Sequence, residues 1–127
     1  MNEPDFLTLD EVHLIHARSL AEHGGGEGVR DAGLIESALA SAKNTFYNAH
    51  GDLFDVAASY AFHLAESQAF IDGNKRTAVT SAMIFLAKNG IYAQPPTWTL
   101  YSAMIDVAEK KKTKADLAEI FRKCANE

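Results

Sequence analysis

Five consecutive residues, Asp72, Gly73, Asn74, Lys75 and Arg76, set a carboxylate, a glycine, an amide and two cations side by side. Each type suits the binding of a polyphosphate. Aspartate is a hard oxygen ligand of the kind that holds Mg²⁺ beside phosphates. Glycine lets the backbone reach positive φ or approach a ligand closely. The asparagine amide can donate to a phosphate oxygen, and the arginine guanidinium offers a planar fork that matches one. Lys75 adds a point charge. The residues that follow read as a helix, and a helix N-terminus is already the positive end of its dipole. Two cations are therefore disfavoured there unless an anion binds the free N–H groups of the first turn. The pattern predicts a Mg²⁺–nucleotide phosphate site. A plainer account uses the same residues: Asp72 or Asn74 caps the helix, Gly73 turns the chain, and both cations face solvent. Residue types alone leave the two readings open.

The elements that must hold this run are helical. Thr8 and Glu11 have capping-box spacing, and Val12, Ile15 and Leu20 then give a helical apolar face up to Gly24. Asp31 caps a second helix with Leu34, Ile35, Ala38 and Leu39 on one face. Residues 44–52 read as an irregular loop or short hairpin, with Phe46 and Tyr47 folded back on the core. The stretch Leu53 to Glu66 is apolar almost all round, as is Thr77 to Lys88, and such helices are buried. Asn89-Gly90 supplies a left-handed stop. Pro95-Pro96 breaks the chain, Thr97 begins a fifth helix, and Thr113 to Lys123 is a last amphipathic one. No alternating strand is visible. The expected fold is all-α, a compact bundle of about six helices in one domain covering residues 1–127. The loop Gln68 to Gly73 joins the two most apolar helices, and loops so supported tend to carry function.

Composition narrows the class. With 47% hydrophobic and 23% charged residues, the chain resembles an ordinary soluble globule. Its single cysteine allows no internal disulfide and suits a reducing compartment. No apolar run spans a bilayer and the N-terminus lacks a signal-peptide pattern, so a cytoplasmic protein without membrane contact is expected. The net charge of −5 argues against direct nucleic-acid binding. Charge is uneven, however. Residues 1–67 carry 3 basic and 11 acidic side chains, whereas residues 68–127 carry 9 and 6. Lys110, Lys111, Lys112 and Lys114 supply much of that basic excess and read as a solvated helix end or turn. The glycine run His23 to Gly28 has neither a preceding strand nor a following Lys-Ser/Thr, and reads as a flexible turn.

The run Phe70-Ile71-Asp72-Gly73-Asn74-Lys75-Arg76-Thr77 resembles the signature of the Fic family in the form found in its death-on-curing (Doc) branch, the toxin half of toxin–antitoxin pairs. The segment Gly28 to Leu39, GVRDAGLIESAL, is similar to that branch's second helix. The resemblance implies a Fic/Doc fold. It also implies transfer from ATP to a protein hydroxyl: a nucleotide monophosphate in Fic proteins, phosphate in Doc-type members. Lys75 stands where Fic proteins have a second glycine, which places the chain on the Doc side. By the same resemblance Asp72 holds Mg²⁺, and Gly73, Asn74, Lys75 and Arg76 hold phosphate. The loop Phe46 to Gly51 corresponds to a flap that aligns the target. The target the resemblance implies is elongation factor Tu, and the restraint expected is a separate small antitoxin.

One departure touches the chemistry. The family's general-base histidine falls at Gln68 and its usual proline at Ala69. Glutamine can accept a hydrogen bond from an attacking hydroxyl but cannot take its proton. Loss of a general base typically costs ~10²–10⁴ in rate. Phosphoryl transfer depends chiefly on positioning and charge stabilisation, so it suffers less than most reactions. Gln68 therefore leaves two expectations: a weak phosphotransferase with Gln68, Asn74, Lys75 and Arg76 at its centre, or a Fic-fold binding module that keeps the phosphate site and antitoxin groove. His63 lies five residues earlier, about 140° around the same helix, and faces elsewhere. His13, His16 and His23 form no convincing metal set. His50, in the flap, is the other histidine to test as a base.

Overall fold

The computed structural model describes residues 3–93 and 97–125. Six helices follow one another: α1 Leu9–His23, α2 Ala32–Tyr47, α3 Leu53–Ser67, α4 Asn74–Lys88, α5 Thr97–Ala108 and α6 Lys114–Ala125. The architecture is the expected all-α bundle. Among the described residues the one β-type pairing is an isolated antiparallel bridge between Val29 and Phe70. Pro95-Pro96 lies outside the described residues.

The bundle is organised around α3, which packs on α2, α4, α5 and α6, while α1 lies across α4 and touches α2. Small residues make the central contact close. Ala57, Ala58 and Ala61 on α3 and Ala78 and Ala82 on α4 are essentially inaccessible. Helix separation follows the size of the side chains between the axes, so alanine on both sides brings the backbones together. Large side chains fill the remaining space: Tyr60, Phe85, Phe121, Leu64 and Leu86 are fully buried. Each contributes ~1.5–3 kcal/mol by leaving water.

The helix starts follow local chemistry. Thr8 and Glu11 form the expected capping box, and the Asp31 carboxylate accepts from the N–H groups of Gly33 and Leu34. A second reciprocal box, Asp52 with Asp55, opens α3. One boundary differs from expectation, and so does one cap. First, α2 runs on to Tyr47, so the loop before α3 is only residues 48–52, and Phe46 and Tyr47 belong to the helix rather than to a flap. Tertiary contact extends it. Phe6 meets both rings, at centroid distances of 6.1 Å and 5.8 Å, and the Phe46 ring rests against the core. The Ser41 and Thr45 hydroxyls donate back to carbonyls one turn earlier, which keeps these residues compatible with the helix. Second, α4 begins at Asn74, so Asn74, Lys75 and Arg76 form its first turn. Neither Asp72 nor Asn74 caps it. The N-cap is Gly73, at φ 78°, with no side-chain cap bond.

Candidate functional site

The motif loop takes its shape at Gln68. This residue ends α3 in the left-handed conformation, φ 48° and ψ 44°, and turns the chain back. Ala69 and Phe70 then plunge into the interior, at 0% and 1% exposure. The segment before α2 runs alongside. The Ala69 carbonyl accepts from the N–H groups of Arg30 (2.7 Å) and Asp31 (3.0 Å), and Ile71 N–H donates to the Gly28 carbonyl at 3.1 Å. The Arg30 guanidinium donates to the Gln68 carbonyl. Residues 28–31 thus pair with backbone groups of residues 68, 69 and 71, and so satisfy the carbonyl of buried Ala69.

Asn74 closes the loop from the other side. Its Oδ1 accepts from Phe70 N–H at 3.0 Å, and its Nδ2 donates to the Phe70 carbonyl at 2.9 Å. The side-chain amide assigned above to a phosphate oxygen is therefore committed to the loop. What Asn74 offers a ligand is its backbone N–H. That group, with those of Lys75 and Arg76, is one of the donors a helix start leaves open, and no side chain caps it. Lys75 is exposed and Arg76 half-buried. Neither makes an ion pair among the described residues.

Asp72 sits beside this helix start. Its Oδ2 accepts from Gly26 N–H at 3.2 Å and its Oδ1 from Gly73 N–H at 2.8 Å. The Gly26 donor, then the Gly73 donor, then the charge of Arg76 hold the carboxyl below its ordinary value, so it is ionised at neutral pH. The glycine run therefore has a definite task beyond a flexible turn. A Cβ on Gly25 would lie 2.8 Å from Asp72 Oδ2, and Gly25 stands at φ 124°, so only glycine fits there without displacing the carboxylate. His16 completes the support. Its ring stacks on Phe70 (centroids 3.8 Å, planes 13° apart), and Nε2 lies 2.9 Å from the Asp72 carbonyl. A carbonyl only accepts, so Nε2 carries the proton. His16, Gly25, Gly26 and Arg30 escaped the sequence reading because each acts across the fold, and helical periodicity reports nothing at such separations.

These residues surround a cavity of about 390 Å³ whose wall includes Gln68, Asp72, Gly73, Asn74, Lys75, Arg76 and Tyr101. Every residue named for the site from the sequence lies on it. Its lining combines open N–H donors, two cations and one ionised carboxylate, which suits a phosphate group bound with a cation. No cluster of three or more metal-ligating side chains exists among the described residues. Mg²⁺ nonetheless fits. It is commonly held by one or two carboxylates plus substrate phosphates and water, and Asp72 is a carboxylate kept ionised beside the phosphate donors.

Neither alternative base reaches the cavity. His63 is half-buried, and burial, then the charge of Lys114, lowers its pKa. Its Nε2 lies 3.1 Å from Lys114 Nζ. An ammonium only donates, so His63 is the acceptor there and is neutral. It lines a separate pocket with Leu34, Ser37 and Ser67. His50 lies on the loop before α3, at φ 55°, and lines none of the cavities near the motif.

The chain is similar in sequence to known proteins. A family model described as the Fic/DOC family matches residues 6–86, from just before α1 into the last turn of α4. The protein kinase doc of Escherichia phage P1 is 35% identical over 83 residues, covering 65% of this chain and 66% of that protein. The toxin Doc of Mycolicibacterium smegmatis is 42% identical over 85 residues, covering 65% of each chain. The matched stretch thus spans just under two thirds of the length of both relatives. The family-model match holds the motif, the helices on either side and the segment that pins Asp72. On these grounds the chain belongs to the Fic/Doc family.

Proposed function

We propose that this protein is a Doc-like toxin that transfers phosphate from ATP, with Mg²⁺, to a hydroxyl of a protein target. One observation carries the reading: the uncapped start of α4, with Asp72 held ionised beside it by Gly26 and Gly73. The N–H groups of Asn74, Lys75 and Arg76 would hold phosphate oxygens, and Arg76 would spread the charge that develops on the transferred group. Asp72 would hold Mg²⁺, which supplies charge neutralisation between phosphates when bound. Gln68 lines the same cavity and can orient the attacking hydroxyl by accepting its hydrogen bond. Positioning and charge stabilisation are the larger part of phosphoryl transfer, so a site without the motif histidine retains most of what the reaction needs. The two relatives, one named a protein kinase and one a toxin, support this reading. A translation protein such as elongation factor Tu is the proposed target, acting in the cytoplasm, and a separate small antitoxin the proposed restraint.

Gln68 itself favours a second reading, a binding module that keeps the phosphate site without turnover. Incubation with labelled ATP, Mg²⁺ and a bacterial lysate separates the two. Label on a protein band, lost in Arg76→Ala and Asp72→Ala, is expected for the transferase. ATP binding by calorimetry without any labelled band would leave the binding module. Equal ATP affinity in wild type and both variants would defeat the phosphate site altogether.

A further inference from the structure

A second cavity lies next to the motif. It measures about 680 Å³ and shares Ala65, Gln68 and Lys75 with the phosphate cavity, so the two adjoin. Its floor is apolar, made by Phe62 and Ala65 of α3 and Met104 and Val107 of α5. Its rim is cationic: Lys110 and Lys112 from the turn after α5, Lys114 from the start of α6, and Lys75 from α4. Glu66 is the one acid on the wall.

These cations are poorly neutralised from within. Lys110 and Lys75 make no ion pair among the described residues, and Lys112 reaches Asp106 only at 3.9 Å. Lys114 faces neutral His63 and the Phe62 ring, its ammonium 5.5 Å from the ring centroid. Only Lys111, which turns to Glu109 at 2.9 Å, behaves as an ordinary solvated pair. The rim's charge therefore faces whatever enters the groove. A nucleotide whose phosphates sit on the α4 start would leave Lys110 and Lys112 facing an uncharged nucleoside. A peptide strand uses the whole surface: acidic side chains meet the rim, an apolar side chain seats on the floor, and the strand runs towards Gln68.

We propose that this groove is the docking site for the acceptor protein, which presents its hydroxyl on an acidic segment carrying an apolar anchor. The inference rests on the phosphotransfer reading above and names the substrate class of that site. The cationic half of the molecule would also draw such a segment in, by an attraction that salt screens.

The test uses a short fluorescent peptide of glutamate and leucine around one threonine, and its lysine counterpart, against the full chain and the double variant Lys110→Glu/Lys112→Glu. Both lysines are exposed, and matching melting temperatures would show that the variant folds. The expected result is binding of the acidic peptide alone by wild type, weakening with salt. The variant should lose about tenfold or more in that affinity while its ATP–Mg²⁺ affinity by calorimetry stays within about twofold. Indifference of wild type to the acidic peptide would overturn the proposal, as would equal peptide affinity in both proteins. A variant that loses ATP affinity in parallel would also overturn it, because the groove would then hold the nucleotide. Failure of wild type to bind ATP would instead strike at the phosphotransfer reading, and the peptide comparison would still be decided by its own signal.

Discussion

Gln68 combines two properties that a single substitution to alanine would confuse. It lines the phosphate cavity and it holds a left-handed backbone that a Cβ disfavours by ~1–2 kcal/mol. Gln68→Gly removes the amide while accepting that backbone, so its stability should remain within about 1 kcal/mol of wild type. A fall in labelled transfer in this variant then reports the amide's chemistry. Gln68→His should raise transfer, by up to the ~10²–10⁴ a base supplies, and by less where positioning already carries the rate. No gain with ATP still bound would mean the base is not the missing part. Asp72 gives a second test at this scale. A carboxyl NMR titration should place its midpoint below the ordinary aspartate value of about 3.9. Gly25→Ala should move it up towards that value, since the new Cβ displaces the carboxylate from the Gly26 donor. The same variant should weaken Mg²⁺-dependent ATP binding. An unshifted midpoint would remove the glycine run from the site.

At the level of elements, the helix starts were legible because capping is a local code. Thr8 with Glu11, and Asp31 ahead of Leu34, announce α1 and α2 by side chains within three residues of each other. The end of α2 was not, because Phe46 and Tyr47 stay helical through contact with Phe6, forty residues earlier. The α4 start, directly after the loop Gln68 to Gly73, was legible as well, but its cap was not: the N-cap is a glycine, which carries no capping side chain to read. The Asp52 cap also ties two elements together, since Arg122 of α6 reaches it at 2.8 Å. Burial alone would raise the Asp52 carboxyl, but the Asp55 N–H and Arg122 outweigh it and hold the pKa low. A carboxylate depressed in the folded state contributes stability above its unfolded pKa and loses it as pH falls through the folded value. Asp52→Ala should therefore cost ~1–2 kcal/mol at neutral pH in chemical denaturation. The gap to wild type should narrow as pH drops below about 4. A pH-independent gap would assign the effect to packing.

Across the whole molecule, the six-helix plan followed from periodicity, whereas the way the chain ends are fastened did not. Leu7 N–H donates to the buried Tyr60 hydroxyl at 3.0 Å, and burial pushes that phenol up to about 12. Nearby, the Asn89 amide exchanges bonds with the backbone of Asp5, and Lys88 pairs with Glu11 at 2.8 Å. Residues 5–7 thus bind both α3 and the end of α4, although nothing in their sequence shows it. Tyr60→Phe keeps the ring and strands the Leu7 donor, so it should cost ~1–3 kcal/mol without altering ATP affinity. A neutral result would mean that the first residues contribute little to stability.

The Asp72 carboxylate bridges two stretches of chain that lie more than forty residues apart, and that gives the exposed glycine turn a second identity as a reporter. Whatever fastens Asp72 in place must also lower the fraction of time residues 24–28 stand open, because coupling between two sites acts equally in both directions. Bound ATP–Mg²⁺ should therefore slow amide exchange at Gly26 and blunt proteolytic cutting in that turn, although no ligand atom need touch it. Unchanged exchange at saturating nucleotide would show that the carboxylate lets go of the turn when it takes up the cation. The glycine segment would then mark the point from which the site opens.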